Sequence, residues 1–274
     1  MTSDRKLARI AKSLQDAGID VLVMSGHAVR FYGIDRNTVD FDLVTSLSGP
    51  DELRAGLAQI ASLGPVREEP VWRSGDFARF EIGRLPDGRE EWLEFWLRNH
   101  LLADFASLKA RAEVGTYGGE QVAFLSIADL MRSKETERES DWQDIALLEE
   151  ILDARHQAAI ASAPDALLKL LSGLRSRRGM DRTIERHLLQ DRDTVAKAVA
   201  ACTHPATYAF LLPTAGTTPP PAMSVEPTAL AALSTVNFGS PKHFALIEIC
   251  RCAYKRHAME ADRADKQAKL DRKR

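Results

Sequence analysis

Two aspartates separated by one residue, Asp40 and Asp42, stand in the run Thr38-Val39-Asp40-Phe41-Asp42-Leu43-Val44. In an extended strand alternate side chains share a face, so Thr38, Asp40 and Asp42 point one way while Val39, Phe41 and Leu43 fill the other. Paired carboxylates of this kind suit a hard divalent cation, and magnesium commonly bridges one or two carboxylates to substrate phosphates. Alternating acids are also what a half-exposed strand displays, so the pair gains weight from its neighbours. Upstream, Ser25-Gly26 ends the apolar run Val21-Leu22-Val23-Met24, and small residues there let the amides of a following helix approach an anion closely. A third acid, Glu94, alternates with Trp92 and Trp96 on one arm of a predicted hairpin, an odd place for a merely solvated charge. Glu91 is the competing acid, but it lies nearer the turn and on the apolar side of the alternation.

Read together, S-G-H-A-V-x-x-x-G followed by R-x-T-x-D-x-D resembles the core motif of the polymerase-β-type nucleotidyltransferase superfamily, especially its small prokaryotic branch that includes the AbiEii-like toxins. The resemblance covers roughly residues 1–155. It implies an α/β (α+β) fold, with a mixed β-sheet core and flanking helices; beyond it, aliphatic spacing predicts a mostly helical C-terminal domain. It implies that Ser25 and Gly26 hold a triphosphate, with serine standing where the motif favours glycine. A serine hydroxyl can still donate to a phosphate oxygen. Asp40, Asp42 and Glu94 are implied as ligands of Mg2+, with an NTP as substrate and Thr38 beside the nucleotide. Arg36 either neutralises phosphate or pairs with a neighbouring acid. Further on, the run holding Lys134, Arg138 and Asp141 resembles the later K-x-x-x-R-x-x-D-x-x-D segment of the family. At spacings of four and three they share one helical face if the helix is continuous. By position Lys134 would contact the triphosphate, Arg138 would lie with the nucleotide, and Asp141 would orient either the lysine or the nucleotide. The same run also reads as an exposed helix laced with charge.

The reaction so implied moves a nucleoside monophosphate from an NTP to a hydroxyl of RNA, tRNA included, or of protein. The chain would then act as the toxin of a toxin–antitoxin or phage-defence system, with a cognate antitoxin or partner protein. Two other classes stay open: a non-catalytic binding or antitoxin module of the same fold, and a HEPN-like ribonuclease in the C-terminal helices, where Arg182 and His187 match a permissive R-x4-H pattern.

A formal net charge of -2 gives no global sign of nucleic-acid or membrane binding. The three cysteines, Cys202, Cys250 and Cys252, fit neither a disulfide framework nor a zinc knuckle. Reduced thiols, a charged amphipathic N-terminus and no bilayer-length apolar run lead to the expectation of a cytoplasmic protein without membrane contact.

The elements that must position these residues follow from periodicity. Leu7, Ile10, Ala11 and Leu14 predict a helix over 4–17, closed at Gly18. A second helix is expected from Asp51 through Leu53, Leu57, Ile60 and Leu63 to Gly64-Pro65. Strands are expected over 70–97, with a hairpin of 77–82 and 91–97 turning at Pro86-Asp87-Gly88. A helix over 104–112, a hairpin turning at Gly118-Gly119, and a helix capped by Ser126 and running to about Leu152 come next. A domain boundary is expected near 160, giving 1–160 and 161–274. The second part would hold helices over 167–174, 181–201 and from 241 to the end, with an irregular Pro/Thr-rich loop over 213–228. Its basic clusters, Arg175 to His187 and Arg251 to His257, suit an RNA backbone or an ordinary solvated helix face equally well.

Overall fold

The computed structural model describes residues 2–47, 49–58, 60, 66–69, 76–163, 165–215 and 227–271. The chain divides into two compact units, Met1–Lys134 and Glu135–Arg274. This division precedes the boundary expected near residue 160 by one long helix.

In the first unit the elements run α1 (Ser3–Asp16), β1 (Val21–Val23), α2 (Ser25–Phe31), β2 (Phe41–Thr45), α3 (Pro50–Ala58), β3 (Arg67–Glu68), β4 (Phe77–Arg84), β5 (Glu90–Trp96), α4 (Phe105–Arg111), β6 (Glu113–Tyr117), β7 (Glu120–Phe124) and α5 (Ile127–Ser133). Among the described residues seven strands form one mixed sheet in the order β3-β4-β5-β2-β1-β7-β6. The central β2 runs parallel to β5 and antiparallel to β1, with Asp42 directly opposite Glu94. Alternation buries Phe41, Leu43, Leu93 and Phe95 completely on one face. That leaves Asp42, Glu94, Trp92 and Trp96 on the other. α1 packs its apolar stripe, Leu7, Ile10, Ala11 and Leu14, into the core.

Three sequence expectations shift here. β2 starts only at Phe41, so Thr38 and Asp40 lie in the connection leading into the strand rather than within it. α3 ends at Ala58, and the expected closure at Leu63 and Gly64-Pro65 lies outside the described residues, as do 70–75 of the expected strand region. The charged helix expected from Ser126 to Leu152 is two helices. Ser126 caps α5, accepting from the Asp129 amide at 3.2 Å. That helix stops at Ser133, whose hydroxyl donates back to the Leu130 carbonyl at 2.7 Å. Competing side-chain bonds of this kind weaken a helix locally.

The second unit is helical among its described residues: α6 (Glu139–Ala159), α7 (Ala166–Gly173), α8 (Arg177–Glu185), α9 (Arg192–Ala201), α10 (Pro205–Ala215), α11 (Pro227–Leu233) and α12 (Pro241–Asp271). Its core includes Leu170, Leu174, Val195, Tyr208, Phe210 and Ile247. The helix expected over 181–201 is broken between α8 and α9. His187 takes φ 54°, and Asp191 begins α9 by accepting from the amides of Asp193 and Thr194. Both ends of the expected loop over 213–228 are helical, since α10 continues through Pro213 to Ala215 and α11 begins at Pro227; residues 216–226 lie outside the described residues. Cys202 and Cys250 are buried free thiols and Cys252 is an exposed one. No helix of the described residues is long and apolar enough to cross a membrane.

Candidate active site

The site starts at the junction of β1 and α2. The Met24 amide donates to the Asp42 carbonyl at 3.0 Å, which ties the start of α2 to the central strand. Ser25 follows with φ 56°, in the left-handed region that an L-residue enters at a cost of about 1–2 kcal/mol. Here the resembling motif favours glycine, and the backbone geometry shows why. Sequence reading expected the Ser25 hydroxyl to face phosphate. Its side chain hydrogen-bonds Asp42, helping to hold that carboxylate in its ionised form. Gly26 is required for space: a Cβ there would come within 2.4 Å of Thr38 Oγ1. The R-x-T element of the motif therefore packs directly onto its S-G element.

His27 is structural. It is buried, stacks on Phe41 at 5.2 Å between ring centroids, and bonds through Nδ1 to the Tyr117 hydroxyl at 2.9 Å. Nε2 meets Ser3 Oγ at 3.1 Å, and the Tyr117 hydroxyl donates to Asp4 at 2.7 Å. Burial pushes the imidazole down to about 4, against the opposing pull of Asp4. Because Phe41 opens β2 between Asp40 and Asp42, this network steadies the start of the strand.

Across β2 and β5 the Asp42 and Glu94 side chains share a hydrogen bond. Burial, then the charge of Asp42, push the Glu94 carboxyl up to about 8. Asp42 is likewise raised by burial and by Asp40, while Glu94, Ser25 and Lys134 pull it down. Asp40 is half-buried and raised by burial, with Arg79 and Arg89 opposing. Asp40, Asp42, Glu94, Ser25, Gly26, Thr38 and the buried Lys134 are thus brought into one neighbourhood. Arg36 lies half-exposed in the α2–β2 connection, its carbonyl accepting from Arg30 at 3.2 Å.

Glu91, the competing acid, is buried and ion-paired to Lys6 of α1. Arg138 and Asp141 belong to the second unit and do not continue the helix that ends before Lys134. The expected shared helical face is therefore absent. Asp141 accepts from the Thr136 hydroxyl at 2.6 Å and from Arg138 Nε at 2.8 Å, fastening the start of α6. The basic clusters of that unit are partly neutralised from within: Arg177 pairs with Asp181, Arg178 with Glu150, Arg251 with Glu149 and Lys255 with Glu139.

Arg79 is the residue the sequence reading missed. It lies opposite Glu94 on β4, with Nε 2.9 Å from Glu94 Oε1 and its guanidinium 4.1 Å from the centroid of Trp92. A bulge between Glu81 and Gly83 makes this pairing; the register near the turn, Gly83 with Glu91, would have set Phe80 opposite Glu94. Matching the apolar faces of the two arms, Ala78 and Phe80 against Leu93 and Phe95, would have located it.

The donor set at the site is all carboxylate oxygen, the kind a hard divalent cation takes. Among the described residues no three His, Cys, Asp or Glu side chains stand together as a formed metal cage. The shared Asp42–Glu94 bond marks two acids competing for one proton, a crowding of negative charge that a cation relieves.

No family model and no curated protein matches the chain. The chain is similar to solved nucleotidyltransferase-like structures. An antigenic nucleotidyltransferase-like protein from Paracoccidioides brasiliensis is 17% identical with a TM-score of 0.40, the match covering 74% of this chain and 95% of that one. The antibiotic-resistance factor ANT(2'')-Ia is 18% identical with a TM-score of 0.38, covering 67% and 95%. JHP933 from Helicobacter pylori is 15% identical with a TM-score of 0.41, covering 84% and 96%. The chemistry of the site rests on its own residues.

Proposed function

We propose that the chain is a magnesium-dependent nucleotidyltransferase that moves a nucleoside monophosphate from an NTP to a hydroxyl of an RNA or protein acceptor. The observation that carries this is the pairing of Asp42 with Glu94 across β2 and β5, with Asp40 close by and the Ser25–Gly26 turn fastened to the same strand. Asp40, Asp42 and Glu94 would hold the metal. When bound, magnesium neutralises phosphate charge and lowers the pKa of the attacking hydroxyl.

The chain's own residues do the rest. Ser25 orients Asp42, Gly26 lets Thr38 pack against the turn that would hold the triphosphate, and the Lys134 ammonium supplies a fixed positive charge beside Asp42. The acceptor oxygen bonds to the α-phosphorus as the α–β phosphoanhydride bond breaks. The electron pair leaves with pyrophosphate, and the hydroxyl proton passes to the Asp42–Glu94 carboxylate pair. In this reading the catalytic domain is residues 1–160.

Incubation with each α-labelled NTP, magnesium and total RNA or protein tests the assignment. Label should move to a macromolecule in the wild type and fall to background in Asp40→Ala and Asp42→Ala. Transfer that survives both substitutions would overturn it.

A further inference from the structure

A cleft of about 510 Å³ opens beside Asp40, walled by the turn end of the β4–β5 hairpin. Arg84, Arg89, Glu90 and Trp92 line it together with Asp40, whereas Ser25, Gly26 and Lys134 do not. The cleft therefore reaches Asp40 without using the residues assigned to the triphosphate.

Its chemistry is an aromatic plate with two arginines beside the acids Asp40 and Glu90. Arg79 rests on the Trp92 ring and pins the indole, so a planar group meets an already ordered surface. The side chains of Arg84 and Arg89 are each 63% exposed. Arg84 meets Glu81 at 3.6 Å and Glu90 at 3.5 Å, and Arg89 meets Asp87 at 2.7 Å. Exposed pairs of this kind contribute little, so both guanidiniums can turn to a stronger, bidentate partner such as a phosphate. A polycationic acceptor would meet two arginines of like charge here.

Resting on the transferase reading above, we propose that this cleft is the acceptor subsite and that the acceptor is the end of a single-stranded polynucleotide. A base stacks on Trp92, flanking phosphates bind Arg84 and Arg89, and the terminal hydroxyl lies toward Asp40. Stacking on an aromatic plate tolerates any base, while the arginines track the backbone.

The test uses the full chain and a fluorescein-labelled ten-nucleotide oligoribonucleotide, with binding read by anisotropy across a salt series. Calorimetry measures binding of each magnesium–NTP separately. For Arg84→Ala with Arg89→Ala, oligonucleotide affinity should fall about tenfold or more and the salt slope by about 1.4, near 0.7 for each phosphate no longer neutralised. Trp92→Ala should weaken it about fivefold or more, and Trp92→Phe should stay near wild type because a stacking face remains. NTP binding should be unchanged in all three. The proposal is overturned if the wild type does not bind the oligonucleotide, or if the variants bind it as the wild type does. Loss of NTP binding in the arginine variant would also overturn it, because the cleft would then belong to the nucleotide donor. If the wild type binds the oligonucleotide through these arginines but binds no magnesium–NTP, the transferase reading fails while the polynucleotide surface stands.

Discussion

Replacing Glu94 by glutamine removes one proton-binding group from the acid pair while keeping its shape and its ability to hydrogen-bond Asp42. The wild-type carboxyl titrates at about 8 in the fold against an ordinary 4.5. Between those values the native state holds a proton that the unfolded chain has released. Stability from this group is therefore complete below the unfolded value and is lost as pH rises through the folded one. At about 1.4 kcal/mol per pH unit, the gap corresponds to about 3–5 kcal/mol by the alkaline end. Its side chain is 16% exposed, so solvent screening discounts little of this. Urea unfolding in chelator, followed by tryptophan fluorescence at about pH 5 and about pH 8.5, measures it as the difference between wild type and variant. Glu94→Gln should flatten the alkaline loss. Magnesium added at the higher pH should stabilise the wild type, by binding the ionised pair, and not the variant. Equal pH slopes in the two proteins, agreeing within about 0.5 kcal/mol, would refute the account of the pair.

Two other perturbations follow from the same neighbourhood. Gly26→Ala should cost about 1–3 kcal/mol by driving a Cβ against Thr38, and Thr38→Gly should relieve it; strictly additive urea-unfolding energies would contradict the contact. His27 is held down to about 4 from an ordinary 6.5, so its contribution is complete above 6.5 and lost as pH falls toward 4. His27→Gln should lose wild-type stability at neutral pH and flatten the acid loss of about 3 kcal/mol, read from unfolding at about pH 7 and about pH 4.5.

Much of the frame was legible because it depends on local periodicity. The alternation of Trp92, Glu94 and Trp96 against Leu93 and Phe95 assigned the sheet face of the third acid, and the apolar stripe of α1 predicted a packed helix. Pro86-Asp87-Gly88 marked the hairpin that walls the cleft, with Gly88 taking φ 87°. The break after Ser133 was not legible. Lys134 to Asp141 has the charge spacing of one continuous helix, and tertiary and side-chain bonds, among them those of Ser133 to Leu130 and of Thr136 and Arg138 to Asp141, accompany the break. α10 was hidden as well, since its buried residues from Ala206 to Leu212 surround the helix without a one-sided stripe.

By itself the sequence determined which side chains are available: two alternating acids, a third on a half-buried strand, and a small-residue turn before a helix. Tertiary structure decided which of them meet. Pairing of β2 with β5 sets Asp42 beside Glu94 although 51 residues separate them (94 − 42 − 1). The bulge in β4 brings Arg79 to the same acid. The left-handed Ser25 turns its hydroxyl to Asp42. The Asp42–Glu94 and Arg79–Glu94 meetings depend on the register between strands, and that register is set by burying apolar faces together rather than by the residues that do the chemistry.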